Sequence, residues 1–224
     1  MKAYYKLLER AMQMHPIDTG KITDNIYAVK TGTVNFFIYK KGGDSVCIDS
    51  GGYGLKAIRK ELARLKIEPE SISHIFLTHS DFDHAGGLAL FPDAQIYMSP
   101  EEAPLLDGTK ARSGLWYNPP IRRKYIPIHD NDTFQPDSIH VRAIATPGHT
   151  PGSMSFVVEG CSLFAGDIFR IRENRIQASQ RYNMDREAQR KSIQKLAKLK
   201  NIRFACCAHS GYTMDFEEAM RDWK

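Results

Sequence analysis

The stretch THSDFDHAGG, residues 78–87, contains four potential metal-binding side chains within six positions. They are His79, Asp81, Asp83 and His84, and they directly follow an apolar run that predicts a buried strand. Side chains two residues apart in an extended chain point to the same side, so His79 and Asp81 can converge on one metal ion. Asp83 and His84 follow where the chain turns, and we expect them to face a second ion beside the first.

Three further segments place a potential ligand just after an apolar, strand-like run. They are ATPGHTPGS with His149 at the tip of a Pro-Gly turn, FAGD ending in Asp167, and CCAHSG with His209. Strands are rigid elements that can aim such side chains at a common point. Gly86 and Gly87 in the first stretch allow the close backbone approach that a crowded site requires. The four stretches together predict one metal centre built from seven side chains.

Apolar runs and turn signals predict that strands alternate with helices along the chain. The predicted strands cover residues 22–27, 34–39, 45–48, 72–77, 94–98, 139–145, 154–158, 162–165 and 203–208. Apolar residues recur at helical spacing from Leu55, a second helix follows the N-cap candidate Asp185, and a last helix covers 216–223. Residues 99–127 contain several prolines and no sustained period, so we expect a long surface excursion. No linker interrupts the pattern, and residues 1–224 are expected to form a single domain.

The composition is that of an ordinary soluble globular protein, with 42% hydrophobic and 25% charged residues. No apolar run is long enough to span a bilayer, and the N-terminal segment lacks the pattern of a secretory signal. The four cysteines contain no CxxC pair, so we expect free thiols in a reducing cytoplasm. A formal charge of +5 is mild and gives little support to nucleic-acid binding.

The four ligand-bearing stretches resemble the metallo-β-lactamase superfamily, whose pattern runs THxHxDH, then a TPGHT-type turn, then GD, then a terminal GH. The resemblance extends over essentially the whole chain to His209. It implies an α+β fold, a four-layer αββα sandwich with mixed, mostly antiparallel sheets and the metals at one edge. The implied ligands are His79, Asp81 and His149 for one ion, Asp83, His84 and His209 for the other, and Asp167 as the bridge.

One position departs from the family pattern, because Asp81 stands where a second histidine is usual. One interpretation makes Asp81 an equivalent oxygen ligand with little consequence. The other is electrostatic: three carboxylates and a bridging hydroxide would cancel the charge of two divalent ions, making the bound water a weaker acid and weakening attraction to anionic substrates. An Asp81→His substitution is then expected to tighten zinc binding and lower the acidic limb of the pH–rate profile. Zinc leads as the metal, with iron or manganese favoured by the added oxygen ligand.

The resemblance implies a binuclear metallo-hydrolase that cleaves an ester-like bond in a small molecule, a lactone or thioester ahead of a β-lactam. Fold and motif fix the reaction type rather than the substrate. The predicted catalytic residues are Asp83, as the proton carrier, and Asp167. Asp49, at another strand end, is expected to orient a metal-bound histidine.

The excursion contains aromatic and basic residues between 112 and 125, including Trp116 and Tyr117. It either forms a lid that contacts an anionic or aromatic group, or it is a solvated loop anchored to the core. Tyr182 and Tyr212 are further candidates for polarising a substrate carbonyl.

Three other functions stay open at this point. HxDxDH resembles the HxExDH of flavodiiron proteins, which would make the chain a di-iron redox protein supplied with electrons by a partner, and such a protein would absorb visible light. A phosphodiesterase or nuclease is the second, although no RNA-binding segment is recognised. A binding module with structural metals is the third, although structural zinc sites are usually closed cages rich in cysteine.

Overall fold

The computed structural model describes residues 14–52, 54–178 and 182–224. The strands in these ranges are β1 Gly20–Lys21, β2 Ile26–Thr31, β3 Val34–Lys41, β4 Asp44–Ile48, β5 His74–Phe76, β6 Gln95–Met98, β7 Ile126–Pro127, β8 Thr133–Phe134, β9 Val141–Ala145, β10 Met154–Val158, β11 Ser162–Phe164, β12 Phe169–Arg172, β13 Arg175–Ala178, β14 Phe204–Cys206 and β15 Tyr212–Thr213. The α-helices are α1 Leu55–Arg64, α2 Phe82–Ala85, α3 Ala103–Leu106, α4 Arg186–Ala197 and α5 Phe216–Ala219. Short 3-10 turns cover Pro69–Ser71, Gly86–Leu90, Pro100–Glu102 and Arg221–Trp223.

The strands form two large sheets and one separate hairpin. The first sheet has the order β1-β2-β3-β4-β5-β6-β7, antiparallel as far as β4 and parallel from β4 to β7. The second has the order β15-β14-β11-β10-β9-β8 and is antiparallel except between β11 and β14. Strands β12 and β13 pair only with each other among the described residues. The sheets are mixed and mostly antiparallel, as predicted.

Both faces of each sheet are buried, which explains why the strands are continuous apolar runs. Phe37 of β3 belongs to the core between the sheets, with its ring centroid 5.6 Å from that of Phe164 in β11. Its neighbour Phe36 points the other way and packs in a second cluster with Ile58 of α1. The outer face of the second sheet packs similarly against Ile193 of α4. Neighbouring residues of a strand point to opposite faces, so this arrangement is the predicted four-layer αββα sandwich.

The carboxyl ends of five strands reach the same edge of their sheets. In the first sheet β4 and β5 run parallel, with Ile48 opposite Phe76. In the second sheet β11 and β14 run parallel, with Phe164 opposite Cys206. Strand β9 has the direction of β11, because both are antiparallel to β10. The residues that follow β4, β5, β9, β11 and β14 therefore emerge together.

Several boundaries differ from the prediction. The predicted strand 22–27 is wrong over its first four residues, because residues 22–25 form a bend in which the hydroxyl of Thr23 accepts hydrogen bonds from the backbone N of Asn25 and Ile26. The excursion 99–127 contains α3 and β7. The helix expected over 216–223 is α5 followed by a 3-10 turn. The hairpin of β12 and β13 was not predicted.

The structure also bears on the expectations for the cysteines and for membrane-spanning segments. All four cysteines are free thiols, as expected. Among the described residues, no helix has the length and apolar character that crossing a lipid bilayer requires. The N-terminal segment, in which no secretory signal was recognised, lies mostly outside the described residues, and the single-domain organisation stays a prediction.

Candidate metal centre

The seven side chains predicted as ligands lie together at this edge of the sandwich. They are His79 and Asp81 after β5, Asp83 and His84 on α2, His149 after β9, Asp167 after β11, and His209 after β14. The Nε2 of His149 lies 3.1 Å from Oδ2 of Asp81 and 3.6 Å from Oδ2 of Asp167. The Nε2 of His209 lies 3.1 Å from the same oxygen of Asp167 and 3.4 Å from Oδ2 of Asp83. Asp167 therefore stands between two groups of side chains.

The groups correspond closely to the two predicted ligand sets. One ligand-type atom from each of Asp83, His84 and His209 lies within 4.8 Å of the others, and the same holds for His79, His149 and Asp167. We call His79, Asp81 and His149 the first subsite, and Asp83, His84 and His209 the second subsite, with Asp167 shared. The group of mutually close atoms at the first subsite therefore contains Asp167 and not the predicted ligand Asp81.

Two glycines hold the ligand-bearing turns close to their neighbours. A Cβ at Gly87 would collide with the carbonyl oxygen of Ser50, so the turn after His84 can reach its position only with glycine there. Gly148, directly before His149, has φ +142° and leaves no space for a Cβ against the backbone of Gln189. The close approach expected of the Gly86-Gly87 pair is thus found at Gly87.

A buried carboxylate orients two of the histidines. Oδ2 of Asp49 lies 2.8 Å from Nδ1 of His84. The hydroxyl of Thr78 donates to Asp49 and lies 2.9 Å from Nδ1 of His79, so its oxygen is left to accept a hydrogen bond from that ring. Both rings thereby carry a proton on Nδ1 and turn Nε2 towards the centre. The expectation that Asp49 orients one of the predicted ligands agrees with this contact.

The other two histidines are held in the same way. Nδ1 of His209 lies 2.7 Å from the carbonyl oxygen of Thr33, which can only accept. Nδ1 of His149 lies 3.1 Å from Oδ1 of Asn183, whose amide nitrogen donates to Gln189. These partners fix the proton on Nδ1 and present the lone pair of each Nε2 to the centre.

Three buried atoms at the centre have no hydrogen-bond partner among the described residues. They are Nε2 of His79, Nε2 of His84 and Oδ1 of Asp167. Unpaired buried polar atoms are costly and rare in native proteins, and their clustering requires an explanation. Imidazole nitrogens and carboxylate oxygens are the ligands that zinc and related divalent ions use, so the residues present fit such an ion.

The local charges differ between the two subsites. Burial acts to raise the pKa of Asp167, but the neighbouring His209 and His84 hold that pKa well below its usual range. Burial acts to lower the pKa of His84, yet Asp167 and Asp49 hold it well above the ordinary value. For His79, burial and the adjacent His84 lower the pKa. The surroundings of His84 therefore favour a positive charge more than those of His79 do.

Arg112 is a site residue that sequence reasoning placed only in the candidate lid 112–125, without its contact to Asp81. Its Nε donates to both oxygens of Asp81, at 2.6 and 2.9 Å, and the side chain is only 3% exposed. Its Nη2 donates to the carbonyl oxygen of Tyr182 at 2.7 Å and lies 3.0 Å from Nε2 of His149. The charge balance drawn from the sequence left out Arg112, whose positive charge lies against the additional anion at Asp81.

Glu102 is a second residue that the sequence did not reveal. It is fully buried, and its Oε2 accepts hydrogen bonds from the backbone N and the hydroxyl of Ser80 at 2.8 and 2.6 Å. Its Oε1 accepts from the backbone N of Gly152 at 2.9 Å. Ser80 separates the predicted ligands His79 and Asp81, and Gly152 belongs to the turn of His149. One carboxylate thus ties together the turns of the first subsite.

A cavity of about 280 Å³ opens over the centre. Its lining includes Phe82, Trp116, Phe169 and Tyr182 beside the predicted ligands. One part of the excursion lies at the cavity and another part is anchored to the core. Arg112 and Trp116 reach the cavity, whereas the guanidinium of Arg123 donates to the carbonyl oxygens of residues 88, 91, 92 and 94 and anchors the excursion.

The two tyrosine candidates and Cys207 differ in their position relative to the cavity. Tyr182 lines the cavity. Tyr212 does not line it, and its ring stacks on Phe204 with centroids 5.7 Å apart. Cys207 is buried with its Sγ 3.2 Å from the hydroxyl of Ser210, and burial raises the pKa of its thiol to about 11. It packs as a thiol and belongs to neither subsite.

Comparison with known proteins adds to this geometry. Residues 29–209 match the sequence profile of the Metallo-beta-lactamase superfamily, over a region that contains all seven predicted ligands. The chain belongs to the metallo-β-lactamase superfamily. The resemblance inferred from the motifs is thereby confirmed, and the metallo-β-lactamase fold implies divalent metal ions, for which the described residues offer histidine and aspartate groups.

Individual members of the superfamily are related at modest identity. The uncharacterized protein YobT of Bacillus subtilis (strain 168) is 32% identical over 152 residues, which are 62% of this chain and 63% of YobT. The atrochrysone carboxyl ACP thioesterase AgnL7 of Paecilomyces divaricatus is 34% identical over 154 residues, 67% of this chain and 41% of AgnL7. The structure of Rm3 metallo-beta-lactamase is similar with a TM-score of 0.70 and 25% identity, covering 89% of this chain and 80% of that one. The chain thus spans less than two thirds of the length of these two curated relatives.

Proposed function

We propose that this chain is a metal-dependent hydrolase that cleaves an ester-like bond, a thioester or lactone, in a small-molecule substrate. The observation that carries this proposal is the set of buried atoms of His79, His84 and Asp167 that have no hydrogen-bond partner among the described residues, beside an open cavity that Asp167 lines. Zinc is the first candidate for the metal, since histidine and carboxylate ligands suit it, and iron or manganese come next.

The two subsites would hold two divalent ions. His79, Asp81 and His149 form one set and Asp83, His84 and His209 the other, and the carboxylate of Asp167 is placed to serve both. When bound, such ions act as Lewis acids on a carbonyl oxygen and lower the pKa of a water molecule.

Asp83 is the best placed proton carrier. Its side chain is 24% exposed, against 12% for Asp81 and for Asp167, and it lines the cavity. A carboxylate beside the ligands and open to the substrate can accept the proton of the attacking water and deliver it to the leaving group. Asp167 is fixed between His84 and His209 and would help to hold the metal ions and to orient the reacting water.

The cavity wall supports a substrate with an apolar acyl part. The rings of Phe82 and Trp116 have centroids 6.1 Å apart, and both line the cavity although they remain 37% and 46% exposed. An apolar group lying against these rings would be withdrawn from water, which stabilises the bound substrate. The similarity to AgnL7, a thioesterase by name, agrees with an acyl substrate.

The test is a hydrolysis screen with metal-free protein reloaded with zinc, manganese or iron(II). The substrates are an acyl-coenzyme A thioester, an acyl homoserine lactone, a chromogenic β-lactam and bis-p-nitrophenyl phosphate. We expect turnover of the thioester or lactone that disappears with EDTA and in His84→Ala, and that persists in His129→Ala, which alters an exposed histidine. Turnover of the phosphodiester alone would instead favour a nuclease-like activity. An iron-loaded protein that absorbs visible light and consumes oxygen without hydrolysing any ester would favour the di-iron alternative.

A further inference from the structure

The guanidinium group of Arg112 lies inside the first subsite. Its Nε reaches both carboxylate oxygens of Asp81, and its Nη2 is 3.0 Å from Nε2 of His149. Two of the three side chains expected to hold a metal ion there are therefore in contact with a positive charge that belongs to the protein. Arginine is protonated at all physiological pH values, so this charge is permanent.

The hydrogen bonding of His149 shows that the contact competes with a metal ion. Asn183 is oriented by its amide nitrogen, which donates to Oε1 of Gln189 at 2.9 Å, and Gln189 in turn donates to the carbonyl oxygen of Ile168. Oδ1 of Asn183 must then accept from Nδ1 of His149. The neutral ring has one lone pair left, on Nε2, and this lone pair can accept from Arg112 or bind a metal ion, but not both at once.

The position of Asp81 also favours the guanidinium of Arg112 over a metal ion at the first subsite. Its Oδ2 lies only 3.1 Å from Nε2 of His149, and two acceptor atoms at this distance need a cation or donor between them. Asn118 also donates to its Oδ1, at 3.2 Å. The guanidinium satisfies both acceptors without any added ion, because its planar donors match a carboxylate and a neighbouring nitrogen.

The second subsite has no such internal cation. Within the described ranges, no hydrogen bond or ion pair joins an arginine or lysine side chain to Asp83, His84, His209 or Asp167. Nε2 of His84 and Oδ1 of Asp167 are buried there, 3.6 Å apart, and neither has a hydrogen-bond partner among the described residues. Among the described residues, no arginine or lysine side chain has to leave Asp83, His84 or His209 for a metal ion to enter this subsite.

We infer that Arg112 occupies the first subsite as a built-in cation, so that the chain binds one divalent ion tightly at the second subsite and a second ion only by displacing the guanidinium. This inference rests on the metal binding proposed above and deepens it. Displacement is feasible because Arg112 begins an exposed turn. Its backbone N donates to the carbonyl oxygen of Trp116 and closes this turn, and Leu115 at the tip is 95% exposed.

The expected difference between the two affinities follows from the bonds that must be broken. Hydrogen bonds to charged groups contribute more than neutral ones, and Arg112 gives up those to Asp81 and His149 when a second ion enters. We therefore expect the second dissociation constant to exceed the first by a factor on the order of 100.

Zinc titration of the metal-free full chain by isothermal calorimetry, with metal content checked by mass spectrometry after dialysis, tests this. The wild type should bind one zinc ion tightly and a second about 100-fold more weakly. Arg112→Met should bring the two dissociation constants to within about tenfold. Arg122→Met, which changes an exposed arginine of the same excursion, should behave as the wild type.

Two ligand variants in the wild-type background keep the inference testable if Arg112→Met does not fold. His209→Ala should abolish the tight binding event, whereas His79→Ala should retain it. Two equivalent tight ions in the wild type, an unchanged second affinity in folded Arg112→Met, or loss of the tight ion in His79→Ala would each overturn the inference while leaving metal-dependent hydrolysis intact. A wild type that binds no zinc at all would contradict the proposed function as well.

Discussion

Asp49 Oδ2 lies 2.8 Å from Nδ1 of His84, and Oδ1 of the same carboxylate accepts a hydrogen bond from the backbone N of Thr78 at 2.7 Å. Asp49 follows β4, and Thr78 follows the neighbouring parallel strand β5. This buried carboxylate therefore connects the ends of two central strands with a side chain of the second subsite. The position of His84 is set by the sheet rather than by its own short helix.

Asp49→Asn should weaken binding of the tight metal ion by about 10- to 100-fold, the range usual for partners of metal-bound histidines. The asparagine keeps the size of the side chain but removes the charge that supports the imidazole. Calorimetric zinc titration is the measurement. Asp24→Asn is the control, because Asp24 is exposed and pairs only with Lys21 among the described residues. An unchanged affinity would show that His84 needs no carboxylate partner.

Glu102→Gln should destabilise the metal-free protein by about 1–3 kcal/mol, since the new amide group leaves at least one buried backbone donor unpaired. Affinity at the first subsite should fall as well, because the turns of His79 and His149 are no longer joined. Urea unfolding in EDTA gives the stability, and Glu101→Gln is the matched control, since the adjacent Glu101 is exposed and bonds only to Ser99 among the described contacts. Equal unfolding midpoints for the two variants would contradict this role of Glu102.

Asp81→His was expected from the sequence to tighten zinc binding, and the contact with Arg112 changes that expectation. The single substitution leaves the buried guanidinium without its carboxylate, which should cost about 3–5 kcal/mol of folding free energy. The double variant Asp81→His with Arg112→Met removes the stranded charge, so it should recover stability and bind two zinc ions. Thermal unfolding of the four proteins in this double-mutant cycle gives the coupling free energy between Asp81 and Arg112. If the effects of the two substitutions on stability simply add, the two residues do not depend directly on each other.

Glu159 provides a test of pH dependence away from the metal centre. Burial raises its pKa, but hydrogen bonds from the backbone N of His140 and from Lys41 outweigh this and hold the pKa below its ordinary value. A carboxyl whose pKa is lowered by folding stabilises the protein above its unfolded pKa of about 4.3, and this contribution is lost as the pH falls through the folded pKa. Lys41 lies on the first sheet and Glu159 follows β10 of the second, so the pair links the two sheets.

Glu159→Gln should therefore lower the free energy of unfolding at pH 7 by ~1 kcal/mol or less, because the pair is partly exposed. The difference from the wild type should shrink towards pH 3. Urea unfolding in EDTA at several pH values measures it, with Glu61→Gln as the control, since Glu61 makes a surface pair on helix α1. A difference that persists at pH 3 would mean that the side chain acts through packing and not through its charge.

The sequence predicted the sandwich and its ligand-bearing edge because both depend on local patterns. Strands buried on both faces read as apolar runs, and glycines mark the turns that follow them. The hairpin 169–178 was missed although it carries a signal: Phe169, Ile171 and Ile176 are apolar at strand spacing, and Glu173-Asn174 forms the turn with both residues at positive φ. The charged residues between these positions made the segment look like a loop.

Arg112 and Glu102 were not predictable in the same way. Each acts on residues distant in sequence, with Arg112 separated from His149 by 37 positions and Glu102 from Gly152 by 50. Arginine and glutamate in a proline-containing excursion are normally solvated, and no local pattern distinguishes the buried ones. Their roles depend on where the excursion lies against the sheets, which only the folded chain determines.

Each half of the sandwich contributes to both metal subsites. His79 and His84 emerge from the first sheet, whereas His149, Asp167 and His209 emerge from the second. An ion bound at either subsite would thus link the two sheets, and a shift of one sheet relative to the other would move the ligands of that ion apart. We therefore expect metal affinity in this chain to depend on the alignment of the two sheets, to which the packing of Phe37 against Phe164 contributes.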